Sequence, residues 1–154
     1  MSNYPWLVRH VRMLRVSYLH WVGKHLVEPS LDDEAAVTAL ELLPFAVVSH
    51  DTGHDPVFNY ANQAALQLFE MSWEQFTVLP SRLSAEPMLR EERERLLQRV
   101  AESGFIDDYR SIRISASGKR FLICNATVWN LLDDQGRPYG QAALLREWQA
   151  LNNS

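Results

Sequence analysis

The run Phe121-Leu-Ile-Cys-Asn-Ala-Thr-Val-Trp-Asn-Leu-Leu132 decides the fold class of this 154-residue chain. It alternates over a length unusual for a strand and carries no helical stripe. In a regular strand Leu122, Cys124, Ala126 and Val128 share one face, and Phe121, Ile123, Asn125, Thr127 and Trp129 share the other. Both faces are apolar, so the pattern leaves open which one turns inward. Turn chemistry brackets the run, Ser115-Ala-Ser-Gly-Lys119 before it and Asp133-Asp-Gln-Gly-Arg137 after it. Outside those turns lie two more strand patterns, Phe105 to Ile114 and Tyr139 to Arg146. Three antiparallel strands therefore close the chain.

Upstream, the spacing predicts a helix from about Pro87 to Glu102, with Leu96, Leu97 and Val100 on one side and Gly104 as the residue past its end. Asn62 reads as a cap for a helix carrying Ala65, Leu66 and Phe69, and Ser72 with Gln75 fits a capping box. Leu79 to Ser84 is too punctuated for a regular element. Phe45 to His50 and Val57 to Ala61 read as two strands around the turn Asp51-Thr-Gly-His-Asp-Pro56, a hairpin. Asp32 or Asp33 caps a short helix with Ala36, Val37, Leu40 and Leu43 on one face, and Pro44 stops it. The sum is an α+β domain: a five-stranded antiparallel sheet with helices on one face.

Residues 1–29 form an N-terminal helical arm. Leu7, Val11, Leu14, Tyr18, Trp21 and His25 recur at alternating spacings of four and three, and Pro29 ends the pattern. This stripe fits a helix packed on its own domain. It also fits a dimer seam along Leu7, Val11, Leu14, Tyr18 and Trp21, and a homodimer is the expected assembly. Residues 1–30 have a charge balance of +3, the remainder −7.

The net charge of −4 and the absence of a basic block argue against a dedicated nucleic-acid binder. One cysteine, Cys124, makes no internal disulfide and reads as a buried small hydrophobe in a reduced compartment. No apolar run nears the ~20 residues of a membrane span. A cytoplasmic domain without membrane contact is expected. No glycine-rich phosphate loop and no triad spacing is present, so no catalytic residue is expected and the chain does not read as an enzyme.

The element order, two strands, a helical middle and a three-strand meander, is that of a PAS domain. Four motifs go further: Asp55-Pro-Val-Phe-Asn-Tyr-Ala-Asn62, Leu79-Pro-Ser-Arg-Leu-Ser-Ala-Glu-Pro87, Gly104-Phe-Ile-Asp-Asp-Tyr109 and Asn125-Ala-Thr-Val-Trp-Asn130. Together they resemble the bacterial MEKHLA-domain proteins over about residues 30–148. The resemblance implies a PAS-like sensory or interaction module spanning residues 30–150. Plant members carry this domain behind a homeodomain and leucine zipper; this sequence has neither, so transcription-factor function is not carried over.

The similar flavin photoreceptors need a cysteine in the helical middle, and none stands between Asn62 and Gly104. The haem-binding relatives place a histidine on the long helix, which has none here. No metal site is expected and no cofactor is evident; a noncovalent flavin or another small molecule stays allowed. Asparagine is disfavoured in strands unless its amide is used, which singles out Asn59, Asn125 and Asn130. The expected ligand site joins Asn59, Tyr60, Asn125 and Trp129 on the sheet with Tyr109 and, from the loop, Arg82. The expected ligand is planar or carboxylated, with Arg82 as its clamp or else paired to an acid such as Glu86.

Overall fold

A computed structural model describes residues 4–86 and 90–151. In chain order it contains α1 (Tyr4–Val22), α2 (Asp33–Glu41), β1 (Ala46–His50), β2 (Phe58–Ala61), α3 (Gln63–Phe69) and α4 (Trp73–Phe76). A 3-10 turn (Ser81–Ser84) leads to α5 (Arg90–Ser103), β3 (Phe105–Ile114), β4 (Arg120–Leu132), β5 (Pro138–Leu145) and β6 (Glu147–Ala150). The expected start of α5 at Pro87 lies outside the described residues. The strands form one antiparallel sheet in the order β2-β1-β5-β4-β3. After a one-residue break at Arg146, β6 continues β5 along β4. The last strand is thus longer than its alternation suggested.

Local chemistry places these elements. Asp32 caps α2 by accepting from the Ala35 amide at 2.8 Å. Asn62 does more than cap α3. Its Oδ1 accepts from the Ala65 and Val47 amides at 3.1 and 3.0 Å, and its Nδ2 donates to the Leu40 and Phe45 carbonyls at 3.0 and 2.8 Å. One buried amide, fully satisfied, ties the end of α2, β1 and α3 together. The Ser72–Gln75 capping box is present in both directions.

The alternation along β4 does not run through. Asn125 adopts φ 52°, in the left-handed region, where asparagine is among the few side chains tolerated. Against β3, Tyr109 pairs with Ala126 and Ser111 with Ile123, so β4 carries one residue more than its partner there, a bulge. Phe121 and Ile123 before it and Ala126 and Val128 after it pack into one core cluster. Trp129 and Leu131 pack on the opposite side. The expected grouping of Phe121, Ile123, Asn125, Thr127 and Trp129 is corrected accordingly, because one inserted residue inverts the parity of all that follow.

Each face of the sheet carries its own core. Beneath α3, α4 and α5 lie Val48, Phe58, Ile106, Ile123, Val128 and Leu145 with Phe69 and Phe76. On the other face α1 and α2 cover Val47, Tyr60, Trp129, Leu131, Ala142 and Leu144. Here the expected dimer seam is corrected. Val11, Leu14 and Tyr18 are buried on this chain's own sheet, with Leu7 and Trp21 packed beside them. A stripe at this period reports a flat apolar surface alongside the helix, and does not say whose surface it is. Trp21 also donates its Nε1–H to the Asn130 carbonyl at 2.9 Å. Its ring lies over Gly104 (φ 81°), where a β-carbon would stand 2.0 Å away. Gly104 therefore both ends α5 and receives the end of α1.

Candidate functional site

Between the sheet and the helical middle lies a cavity of about 840 Å³. Its walls are apolar, from Phe58, Phe69, Leu96, Val100, Ile123 and Leu145. Its cover is made of separate pieces: Leu96, Leu97 and Val100 come from α5, Phe69 from α3, and Ser81, Arg82 and Leu83 from the 3-10 turn.

Polar side chains converge on it from the sheet. His50, Gln141 and Asn130 are register partners on three adjacent strands, β1, β5 and β4. Gln141 donates to Asn130 Oδ1 at 3.2 Å, and Asn130 donates to the Val100 carbonyl of α5 at 3.2 Å. His50 Nδ1 donates to the Asp51 carbonyl at 2.8 Å. Burial holds its imidazole below the usual value; Asp51 and a Gln141 contact oppose that shift, and Arg113 adds to it. His50 is thus a neutral hydrogen-bonding group near pH 7.

Among the described residues, Arg82 and Arg113 line the cavity. Arg82 grips Asp55 through Nε, at 3.0 and 3.2 Å to the two carboxylate oxygens. Glu86, its alternative partner from sequence, is held by Arg120 instead, at 2.6 Å. Arg113 on β3 donates to Ser84 Oγ at 2.7 Å and to Tyr109 OH at 3.0 Å.

Of the six residues expected to bind a ligand, Arg82 and Tyr109 line this cavity and four lie elsewhere. Tyr60 and Trp129 are buried on the α1 face, Trp129 edge-on to Tyr18 with ring centroids 4.8 Å apart. Tyr60 OH and Trp129 Nε1 have no hydrogen-bond partner there. Asn59 accepts from Ser49 Oγ, which His10 Nε2 approaches at 2.9 Å, so it too belongs to that side. Asn125 is exposed at its bulge and donates to Glu147 at 3.3 Å. Cys124 is half-buried and free. Among the described residues no group of three or more potential metal ligands occurs, and no helix is long and apolar enough to cross a membrane.

The cavity residues that sequence reasoning left out are His50, Arg113 and Gln141, with Asn130 named as a strand asparagine but not placed. The available signal was Asn125 itself. Read as a left-handed bulge residue rather than as a ligand contact, it moves Asn130 to the cavity side and Trp129 away from it.

Comparison with known proteins agrees with this architecture. A light-oxygen-voltage domain whose mechanism was probed with a flavin analogue matches 76% of this chain and 84% of its own, at 17% identity and TM-score 0.57. A PAS domain from Colwellia psychrerythraea matches 74% and 94%, at 14% identity and TM-score 0.60. A PAS domain from a two-component sensor histidine kinase matches 70% and 87%, at 17% identity and TM-score 0.55. At such identities the likeness speaks for the fold. No curated protein matches. The sequence model of the MEKHLA domain matches residues 8–150, from the first turns of α1 to the end of β6. The chain belongs to the MEKHLA-domain family, with a PAS-like fold.

Proposed function

We propose that this chain is a sensory module that binds a small molecule in the cavity between the sheet and the helical middle, and signals through protein–protein contacts. The observation that carries this reading is the volume. Ligand pockets run from about 300 to 1,000 Å³, apolar with a few convergent polar groups, and this cavity has that size and make-up. The rival reading, an interaction module filled by its own side chains, predicts close packing on both faces, against the space left on this one. Binding shifts a packing equilibrium that a partner reads, and the ligand leaves unchanged.

Native mass spectrometry of freshly purified protein, with its absorption spectrum, tests the reading. Added mass at the monomer or homodimer peak is expected, with visible absorbance if the ligand is a flavin. Ala143→Trp, which drives a ring into the cavity, is expected to abolish the added mass while the protein stays folded. Bare mass in both proteins, with no small molecule binding in a fragment screen, sinks it in favour of the self-filled module. The same peaks read the oligomeric state.

A further inference from the structure

Resting on that reading, we propose that the ligand is an organic acid whose carboxylate seats on Arg113. The argument is one of unfilled valence. A guanidinium presents five N–H donors in a planar fork that matches a carboxylate. Arg82 uses its fork on Asp55, Arg99 on Asp108 and Arg120 on Glu86. Arg113 has no carboxylate partner among the described residues. Its two hydrogen bonds go to neutral hydroxyls, Ser84 Oγ and Tyr109 OH.

The hydroxyls position it. Ser84 is buried, and its Oγ donates to the Ser81 carbonyl at 2.7 Å, so it offers a lone pair to Arg113 from a fixed place. The backbone of Arg113 is pinned as well, by a bridge to Ala85. The result is a half-buried cation, held by two neutral anchors, on the lining of a largely apolar cavity. The acids on that lining among the described residues are engaged elsewhere: Asp55 with Arg82, Glu86 with Arg120, and Asp51 Oδ1 with the Gly53 and Val57 amides, both at 3.1 Å.

The remaining contacts define the rest of the ligand. The apolar walls take a hydrocarbon or aromatic body. The row His50–Gln141–Asn130 offers that body a line of amide and imidazole groups for hydrogen bonding. An amphipathic aromatic acid satisfies both.

A matched pair of probes separates this inference from the reading beneath it. 1-Naphthylacetate and 1-naphthylacetamide have the same ring and nearly the same shape, and differ in charge. Isothermal titration of the full chain is expected to show the acid binding about tenfold or more tightly than the amide, the worth of a charge-assisted contact. Arg113→Gln erases that preference and leaves amide affinity in place; Arg113→Lys restores part of it; Arg82→Gln leaves it intact. Equal binding of acid and amide by the wild type overturns the carboxylate inference and leaves the cavity reading standing. So does a preference that survives in Arg113→Gln or disappears in Arg82→Gln. Binding of neither probe at about 1 mM, a threshold of roughly −4 kcal/mol, overturns the organic-acid inference, while the cavity reading stands or falls on the fragment screen.

Discussion

The face of the sheet under α1 and the face under α3, α4 and α5 are built from the same strands, yet one is filled and the other encloses about 840 Å³. Under α1, a helix of 19 residues lies along the sheet and sets Tyr18 against Trp129 and His10 above Ser49. Small residues receive the large ones: Ser49 and Ala142 stand in register between Tyr60 and Trp129. The opposite face has small residues too, Ala143 and Ala85, under a cover assembled from α5, of 14 residues, and the short α3 and 3-10 pieces. The difference teaches that whether one continuous helix or several separate pieces cover a sheet, more than the strands themselves, decides which face becomes core and which a cavity.

The largest test of that contrast uses two neighbouring residues. Ala142 and Ala143 are adjacent on β5 and point to opposite faces. Ala142→Leu forces extra volume against Trp129 and is expected to cost about 3 kcal/mol, the upper end for overpacking. Ala143→Leu enters the cavity and is expected to change stability by no more than about 0.5 kcal/mol. Urea midpoints at unchanged m-value measure both. Equal costs would mean that the cavity is not open space in solution.

Much of this architecture was legible beforehand. The hairpin turn, the Asn62 cap, the Ser72–Gln75 box and the glycine after α5 were readable because each depends on residues within a few positions of one another. The site was less legible, and the reason sits at Asn125. Strand alternation assigns faces only while the period stays at two. A left-handed residue resets it with no trace in hydrophobicity, and so an unbroken period puts Trp129 with the ligand and leaves Asn130 out. The arm is legible in one of its two readings, the helix packed on its own domain. The stripe alone does not choose between them, because a helix period does not carry the identity of the surface that it meets.

The two faces also differ in how they hold a histidine. His10 is wholly buried in the filled face, stacked on Trp6 at 4.6 Å, bonded to Ser49 and 3.4 Å from Tyr139 OH. Burial, helped by Arg9, pushes its pKa down from 6.5 to about 4. A histidine depressed on folding binds its proton more readily in the unfolded chain, so its contribution is complete above 6.5 and is lost as pH falls toward 4. Between pH 7 and pH 5 the protein is expected to lose about 2 kcal/mol through this group. Urea unfolding at the two values measures it, and His10→Gln should flatten the difference. His50 carries a depression of the same sign. It opens on the cavity, where an anion on Arg113 would favour its protonated form. Acid-probe binding in the cavity should therefore strengthen as pH falls, while the α1 face weakens.

The smallest effect falls on the residue that separates the two faces. Asn125 holds φ 52°, and its exposed side chain donates to Glu147 at 3.3 Å. If its role is conformational, glycine should serve as well or better, since it takes a left-handed φ without a β-carbon clash. Asn125→Gly is then expected to fall within about 0.5 kcal/mol of wild type. Asn125→Val, branched at the β-carbon, should lose about 1 kcal/mol or more. A ligand contact behaves in the opposite order: glycine would delete the amide and impair binding, whatever it did to stability. Titrating 1-naphthylacetate into both variants decides the matter. Unchanged affinity in Asn125→Gly fixes Asn125 as the hinge of parity in β4, and a loss would return it to the cavity and undo the assignment of faces built on it.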